Sequence, residues 1–187
     1  MKMKSKKTPI KKLTKSFFGD LISYVIVFIL VFAFFHFVIL LGRVPSESMN
    51  PTIKVNDITI SNYLAYKKRT PQRGDIIVFS KDGENFCKRV IGIPGDRISF
   101  HNGYVYIDNK QLVENNYLSS DVETNSSESF EVPKDSYFVL GDNRENSDDS
   151  RFWDYPYVSK DDIVAKVLII VPTHTIVDLI PKKTTSQ

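Results

Sequence analysis

The stretch Leu21–Leu41, LISYVIVFILVFAFFHFVILL, divides the chain into two parts that require different surroundings. It contains no charged residue, and Asp20 and Arg43 flank it. About 20 helical residues, each rising about 1.5 Å, cross the ~30 Å hydrocarbon layer of a membrane. A core helix of a soluble protein would show a polar stripe, which this stretch lacks. The stretch therefore predicts one transmembrane helix followed by a separate domain.

A cleavable secretory signal is the alternative interpretation of this span. Such a signal has an apolar core of about 7–15 residues and ends in a small-residue cleavage site. Here the apolar run is longer, and the segment LLGRVP at its end has no Ala-x-Ala pattern. We interpret residues 20–41 as an uncleaved anchor. His36 within it is either a functional group or, as we favour, a neutral imidazole near the outer end of the helix.

The charges of the chain are unevenly distributed. The 187 residues carry a formal net charge of +3, yet seven lysines precede the first acidic residue: Lys2, Lys4, Lys6, Lys7, Lys11, Lys12 and Lys15. The positive-inside rule places residues 1–19 in the cytoplasm as a basic tail and residues 42–187 outside the cell membrane. A basic tail also occurs in DNA-binding proteins, but no aromatic residue is interleaved with these lysines and no readout module follows. We expect a lipid bilayer and no nucleic acid as partner; recovery of the protein in the soluble fraction would revive the DNA-binding alternative.

Short strand patterns dominate the sequence beyond the anchor. Runs of β-branched or aromatic residues, bounded by Gly, Pro, Asp or Asn, occur at residues 58–60, 76–79, 86–91, 98–100, 104–107, 137–140 and 163–171. Asn102-Gly103 predicts a two-residue hairpin turn, because both central positions of a type I′ turn need positive φ. Ser119–Ser129 is polar and predicts an exposed, mobile loop, and Ser159–Asp162 favours one short helical turn. The expected fold is mainly β, coiled or partly open and barrel-like, behind one transmembrane helix.

Few residues suggest metal or thiol chemistry. Cys87 is the only cysteine, so no intramolecular disulfide can form. The histidines stand at positions 36, 101 and 174, and none lies in a context typical of a catalytic triad or of zinc-ligand spacing. The acidic segment 142–149 does not follow the spacing of an EF-hand calcium loop and is interrupted by an arginine. The sequence therefore predicts neither a metal nor another cofactor.

Four blocks of the external domain together resemble a known family. They are PSESMNPTI (45–53), GDIIVF (74–79), KRVIGIPGD (88–96) and GDNRENSDDSRFW (141–153). In this order, at this spacing and behind an N-terminal anchor, they resemble the type I signal peptidases. These are membrane-bound serine proteases that remove signal peptides from exported proteins. The resemblance spans most of the external domain and implies signal peptides of exported precursors as substrates, without a cofactor; a position near the secretion translocon is compatible with that role.

The resemblance implies that Ser48 is the nucleophile and Lys88 the general base. Their separation is also near that in the self-cleaving SOS repressors, which resemble this fold core. An ordinary lysine, with a pKa of about 10.4, is protonated at neutral pH and cannot accept a proton. Desolvation lowers that pKa, and the apolar neighbours in FCKRVIGI suit this requirement. Without the four blocks, a turn serine and a solvent-facing lysine would be the simpler interpretation.

The resemblance also implies supporting roles for polar residues of the same blocks. The hydroxyl of Ser46 can join the Ser48 backbone N–H in holding the oxyanion, the alternative being that Ser46 merely shapes the turn. Ser147 is expected to orient the lysine amine. The remaining expected supports are two ion pairs: Asp149 with Arg151, and Asp142 with Arg89.

The substrate pocket is expected to accept small residues at the first and third positions before the cut. The matching positions are Val44, Met49, Ile53, Phe86 and Cys87. Strict strand alternation places Cys87 on the face opposite Lys88, whereas the family has both neighbours of the lysine near substrate. A substrate that pairs edge-on with this strand could reconcile the two. Cys87 as an ordinary small core residue is the alternative.

The chain departs from the family pattern after the last block. Asp154-Tyr155-Pro156 follows Trp153 where relatives usually have glycine-containing turns, and Ala165 stands where a glycine is common. The short segment before the last block favours a compact, Gram-positive-like form without a large inserted subdomain. Two alternatives stay open: an inactive, tethered binding module, which would lack the serine or lysine, and a specialised peptidase for one exported substrate. Accumulation of a single uncleaved precursor after depletion would favour the specialist.

Overall fold

The computed structural model describes residues 10–173 of the chain, with side chains from residue 19 onward. The four lysines before residue 8 and His174 lie outside these residues. Two compact units are present: one ends at Val38 and the other begins at Ile39. Each is described separately below.

The first unit contains one long helix, α1 (Ile10–Val38). Its window Gly19–Val38 has a mean hydropathy of 2.7, and none of this window is buried. This window is long and apolar enough to cross a membrane. The helix ends before the apolar run does, because the next residues, from Ile39 to Leu41, already hydrogen-bond into a sheet.

The second unit is mainly β, as the sequence predicts. Its strands are β1 (Ile39–Arg43), β2 (Ile58–Asn62), β3 (Ile76–Lys81), β4 (Glu84–Gly92), β5 (Arg97–His101), β6 (Tyr104–Ile107), β7 (Lys110–Gln111), β8 (Phe130–Glu131), β9 (Ser136–Leu140), β10 (Val158–Ser159) and β11 (Ile163–Val171). A short 3₁₀ turn, Lys160–Asp162, precedes β11 and is capped by Ser159. All seven predicted runs lie within strands.

Two antiparallel sheets are built from these strands. Within the described residues, the larger sheet has the order β1-β2-β11-β3-β4-β9-β10 and the smaller one β7-β6-β5-β8. The smaller sheet contains the predicted hairpin: Asn102 and Gly103, between β5 and β6, have φ values of 51° and 81°. These positive values fit a type I′ turn.

The strands β4 and β9 lie at the centre of the fold and are covered on both faces. On one face, Ile91 and Phe138 join a cluster with residues of the smaller sheet, such as Ile98 and Val105. On the other face, Val90 and Val139 join a second cluster around Phe79. Since successive strand residues point to opposite faces, β4 is apolar on both sides. A polar side chain in the part of β4 from Lys88 onward is therefore shielded from water, whereas Glu84 and Asn85 at the start of the strand are exposed.

One loop differs from its prediction. The polar segment Ser119–Ser129 is largely exposed, but Thr124 within it is buried and hydrogen-bonds to Arg144. Thr124 thus connects the segment to the block 141–153, a contact that the polar composition of the segment does not indicate.

Candidate active site

Ser48 lies in the turn that follows β1. The apolar residues on either side of it, Val44, Met49 and Ile53, are buried together and hold the turn against the domain. Backbone hydrogen bonds, from Asn50 N to Glu47 O (2.9 Å) and from Ile53 N to Met49 O (2.8 Å), close the turn. Ser48 itself is half-buried, and its Oγ lies 3.3 Å from the Oγ of Ser46. Both hydroxyls line one cavity.

The loop after β9 fastens the Ser48 turn from the other side. The backbone N–H of Asn143 donates to the carbonyl of Ser48 (3.0 Å), and its side-chain amide donates to the carbonyl of Glu47 (3.2 Å). A Cβ at Gly141 would collide with the Ser48 carbonyl and with Ser147 Oγ. Glycine is therefore required at position 141 for the two segments to approach this closely.

Lys88 lies on β4 and is only 3% exposed. Burial lowers the pKa of its ammonium group, because desolvation disfavours the charged form. The Asp149 carboxylate acts in the opposite direction but with a smaller effect on this pKa. Lys88 lines the same cavity as Ser48. Within residues 19–173, no direct hydrogen bond joins the Lys88 amine to the Ser48 hydroxyl.

The predicted orienting residue, Ser147, is buried, and its Oγ has no hydrogen-bond partner among the described residues. Such a buried and unsatisfied hydroxyl costs free energy unless something uses it. It lies against Gly141, next to the Ser48 carbonyl. The hydroxyl is thus available as an acceptor or a donor close to the Ser48 turn, although Ser147 does not itself line the cavity.

Both predicted ion pairs are present and buried. Arg89 donates to both carboxylate oxygens of Asp142 (2.8 and 2.6 Å). Arg151 donates to both oxygens of Asp149 (2.8 and 2.9 Å), and Asp149 also accepts from the backbone N–H of Gly141 (3.0 Å). Buried bidentate pairs of this kind hold geometry firmly, since breaking one leaves a charge without compensation.

Sequence reasoning missed a third arginine, Arg144. Its guanidinium is buried, donates to the carbonyl of Gly141 (2.9 Å) and pairs with the carboxylate of Glu114 (2.6 Å). Thr124 accepts a further hydrogen bond from it. Arg144 lies in the block 141–153, and this position was a signal by which sequence reasoning could have found it. The sequence offered no such signal for Glu114 and Thr124, because they lie in a polar loop without a motif.

The cavity beside Ser48 and Lys88 has a volume of about 660 Å³. Four of the five predicted pocket residues line it: Val44, Met49, Phe86 and Cys87. Ile53 does not, because it is fully buried behind Met49 as part of the core. Leu40, Gly42, Thr59 and Val78 also line the cavity and were not anticipated.

Cys87 and Lys88 both line this cavity, so strand alternation does not remove either from it. The surrounding protein raises the pKa of the Cys87 thiol to about 12, with burial as the main cause. The thiol is therefore protonated at neutral pH and is a poor nucleophile. Its contribution to the cavity is a small, apolar wall.

The comparison with protein families decides the relationship. A family model described as "Signal peptidase, peptidase S26" matches residues 18–172.

The chain belongs to this family.

Individual members of the signal peptidase family are similar over much of the chain. Signal peptidase I of Leptolyngbya laminosa is 42% identical over 136 residues, which cover 67% of this chain and 65% of that protein. Probable signal peptidase I-2 of Synechocystis sp. is 40% identical and covers 60% of this chain and 54% of that protein. The chain thus spans less than two thirds of the length of these two relatives.

Signal peptidase IB of Staphylococcus aureus is 31% identical over 164 residues, covering 79% of this chain and 85% of that protein. The crystal structure of a signal peptidase I from Enterococcus faecalis V583 is 31% identical and covers 54% of this chain and 98% of the solved chain, with a TM-score of 0.45. The resemblance drawn from the four sequence blocks is confirmed.

Proposed function

We propose that the protein is a membrane-anchored serine endopeptidase that removes signal peptides from exported precursors after small residues, in the Ala-x-Ala manner. Ser48 is the nucleophile and Lys88 is the general base. The observation that carries this proposal is the buried lysine, with its lowered pKa, lining the same cavity as a serine on a rigidly held turn.

The chemistry requires a proton acceptor next to the serine. The Oγ of Ser48 attacks the carbonyl carbon of the scissile peptide bond, while its proton passes to the neutral Nζ of Lys88. The resulting ammonium returns this proton to the leaving amine as the peptide bond breaks. Water then attacks the acyl ester on Ser48, with Lys88 again accepting and returning the proton. A lysine that kept its ordinary pKa would be protonated at neutral pH and could not begin this cycle.

The groups around this pair have separate tasks in the proposal. The backbone N–H of Ser48 and the hydroxyl of Ser46 stabilise the oxyanion that forms on the attacked carbonyl. The unpartnered hydroxyl of Ser147 accepts a hydrogen bond from Lys88 and directs its amine toward Ser48. The pairs of Asp149 with Arg151 and of Asp142 with Arg89 hold the two segments in place and do not react.

The membrane completes the proposed arrangement. α1 anchors the protein, with the lysine-rich end in the cytoplasm and the β domain on the outer side, as the positive-inside rule indicates. Precursors that are still held in the bilayer by their signal peptides would then meet the enzyme on the side to which they are exported. In this proposal the enzyme works within functional reach of the translocon.

Processing of a secretory precursor by the full chain in detergent or lipid tests the mechanism. We expect Ser48→Ala and Lys88→Ala each to abolish cleavage, because one removes the nucleophile and the other its base. Ser127→Ala and Lys134→Ala, at exposed positions away from the cavity, are the matched controls and should cleave normally. Substantial cleavage by either of the first two variants contradicts the proposed pair.

A further inference from the structure

The strand pairing in the larger sheet shows which residues lie beside Ile39, where the chain leaves the apolar span. Ile39 follows Val38, the last residue of α1, by one peptide bond. In the sheet, Ile39 lies opposite Asn62 of β2, and Asn62 lies opposite Lys166 of β11. Neighbouring strands are about 5 Å apart. These three residues therefore define the corner of the sheet that is joined directly to the span.

The segment that continues from this corner is strongly basic. Tyr63–Arg69 reads YLAYKKR and follows Asn62 immediately. Lys67, Lys68 and Arg69 are exposed, and within residues 19–173 none of them has a carboxylate partner. Most other arginines of the domain pair with an acid, as Arg73 does with Asp96. Three consecutive unpaired cations are thus placed at the corner where the apolar span ends.

The segment is held in shape by contacts that do not involve these cations. Asn62 Oδ1 accepts from the backbone N–H of Leu64 (2.7 Å). The Tyr66 hydroxyl donates to one oxygen of Asp75 (2.9 Å), and Lys166 donates to the other (2.6 Å). These hydrogen bonds fix the conformation of the loop, while its last three residues, Lys67, Lys68 and Arg69, remain exposed.

A cavity of about 530 Å³ lies between this segment and β11. It is lined by the three cations and also by Lys166 and Leu168, and its only acid is Asp75, whose charge Lys166 offsets. The lining is therefore positive on balance, with an apolar rim. This combination suits a ligand that has an anionic head next to hydrocarbon.

Exposed aliphatic side chains continue the surface along the same face of the sheet. Leu41, Ile60 and Ile169 lie directly opposite one another on β1, β2 and β11, so they share a face. Leu41 is 65% exposed and Ile169 is 55% exposed. Leu168, at the bulge of β11, is also exposed. A basic loop thus borders an apolar stripe, as in proteins that lie in a membrane interface.

We propose that this surface, made of Tyr63–Arg69 together with Lys166 and Leu168, binds the headgroups of anionic phospholipids in the bilayer that holds α1. The lipid phosphates pair with Lys67, Lys68 and Arg69. Leu64 and Leu168 contact the adjoining acyl region of the lipids. Lipid is favoured over nucleic acid because the surface starts next to Asn62, which pairs in the sheet with Ile39, the residue that follows the span, and because it carries aliphatic side chains. The proposal depends on α1 spanning a bilayer and is independent of the Ser48 and Lys88 chemistry.

Hydrogen–deuterium exchange of the full chain in lipid nanodiscs tests this binding without using activity. We expect backbone exchange in residues 63–69 to be at least about fivefold slower in phosphatidylglycerol discs than in phosphatidylcholine discs, and the difference to vanish at high salt. Each cation near an anionic surface contributes roughly a fivefold preference. The double variant K67Q/K68Q should lose the difference, whereas K110Q/K134Q, which removes the same charge from exposed sites elsewhere, should keep it.

Three results would overturn the proposal. The first is equal exchange of residues 63–69 in the two kinds of disc. The second is an undiminished difference in K67Q/K68Q. The third is equal slowing in phosphatidylcholine discs when inorganic phosphate or a short single-stranded oligonucleotide is added at the same phosphate concentration, which would assign the site to a free anion or to nucleic acid.

Discussion

The loop Gly141–Trp153 and the segment Tyr63–Arg69 are both rich in charge, yet they use it in opposite ways. In the first, Arg144 and Arg151 are buried, and each is matched to a carboxylate at hydrogen-bond distance. In the second, three cations stand exposed and unmatched within residues 19–173. Charges satisfied inside the protein hold other groups in position, whereas charges left outside are available to a partner. The same contrast separates Lys88, whose burial lowers the pKa of its amine, from Lys67, which is exposed.

The largest expected effect is the loss of free energy of unfolding when one member of a buried ion pair is removed. Arg144→Ala leaves the Glu114 carboxylate buried without its cation and releases Gly141, so we expect the free energy of unfolding to fall by about 3–5 kcal/mol. The control is Arg97→Ala. Its pair with Glu131 is exposed and 3.7 Å long, so it should change the free energy by less than about 1 kcal/mol. Denaturant unfolding of the full chain in neutral detergent measures the free energy of unfolding of both variants. Equal losses in the two would contradict the expected difference between a buried and an exposed ion pair.

A variant of Ser46 tests whether an exposed hydroxyl in the Ser48 turn is used in the proposed reaction. If it stabilises the oxyanion, Ser46→Ala should lower kcat by about 10²–10³-fold and leave KM nearly unchanged. The free energy of unfolding should change by less than about 0.5 kcal/mol, because the side chain is exposed. Steady-state kinetics with a precursor peptide, next to Ser127→Ala, gives the answer. An unaltered kcat would reduce Ser46 to a residue that shapes the turn.

The pH dependence of rate and stability tests the burial of Lys88. Because burial lowers its folded-state pKa below the ordinary 10.5, the folded protein binds fewer protons than the unfolded chain between these two values. Stability should therefore rise with pH across that window, and cleavage should fall on acidification as the amine gains a proton. Lys88→Met should be inactive but more stable at neutral pH, by about 1–2 kcal/mol, with the gain shrinking as the pH approaches 10.5. A pH-independent rate of cleavage, with chemistry rate-limiting, would be incompatible with a lysine base.

The smallest effect is expected at the exposed cations. K67Q/K68Q should change the free energy of unfolding in neutral detergent by less than about 0.5 kcal/mol, because both lysines are exposed and, within the described residues, neither side chain forms a hydrogen bond or an ion pair. The same denaturant experiment measures it, with K110Q/K134Q as the comparison. A loss of more than about 1 kcal/mol would mean that the segment has an internal role, like that of the Gly141–Trp153 loop.

Short-range patterns were sufficient to predict much of this protein. The apolar run to Leu41, the strand runs and the Asn102-Gly103 turn depend on neighbours within a few residues, so the sequence reveals them directly. The predicted anchor runs to residue 41, whereas the helix ends at Val38, because the apolar residues Ile39–Leu41 suit a strand as well as a membrane span. Only the pairing with β2 assigns these residues to the sheet. The motif blocks likewise indicated Ser48, Lys88 and the two predicted ion pairs.

Tertiary packing alone decided the rest, because it joins residues that are distant in sequence. The hydrogen bonds of Asn143 to the Ser48 turn and of Arg144 to Glu114 and Thr124 have no local signature. Ile53 is fully buried in a cluster with Met49 and does not line the cavity, although the family resemblance suggested a lining residue. The desolvation that lowers the Lys88 pKa also comes from this packing, since a lysine between apolar neighbours in an extended chain is still open to water. The sequence names the proposed nucleophile and base, and the folded core supplies the burial that lowers the Lys88 pKa.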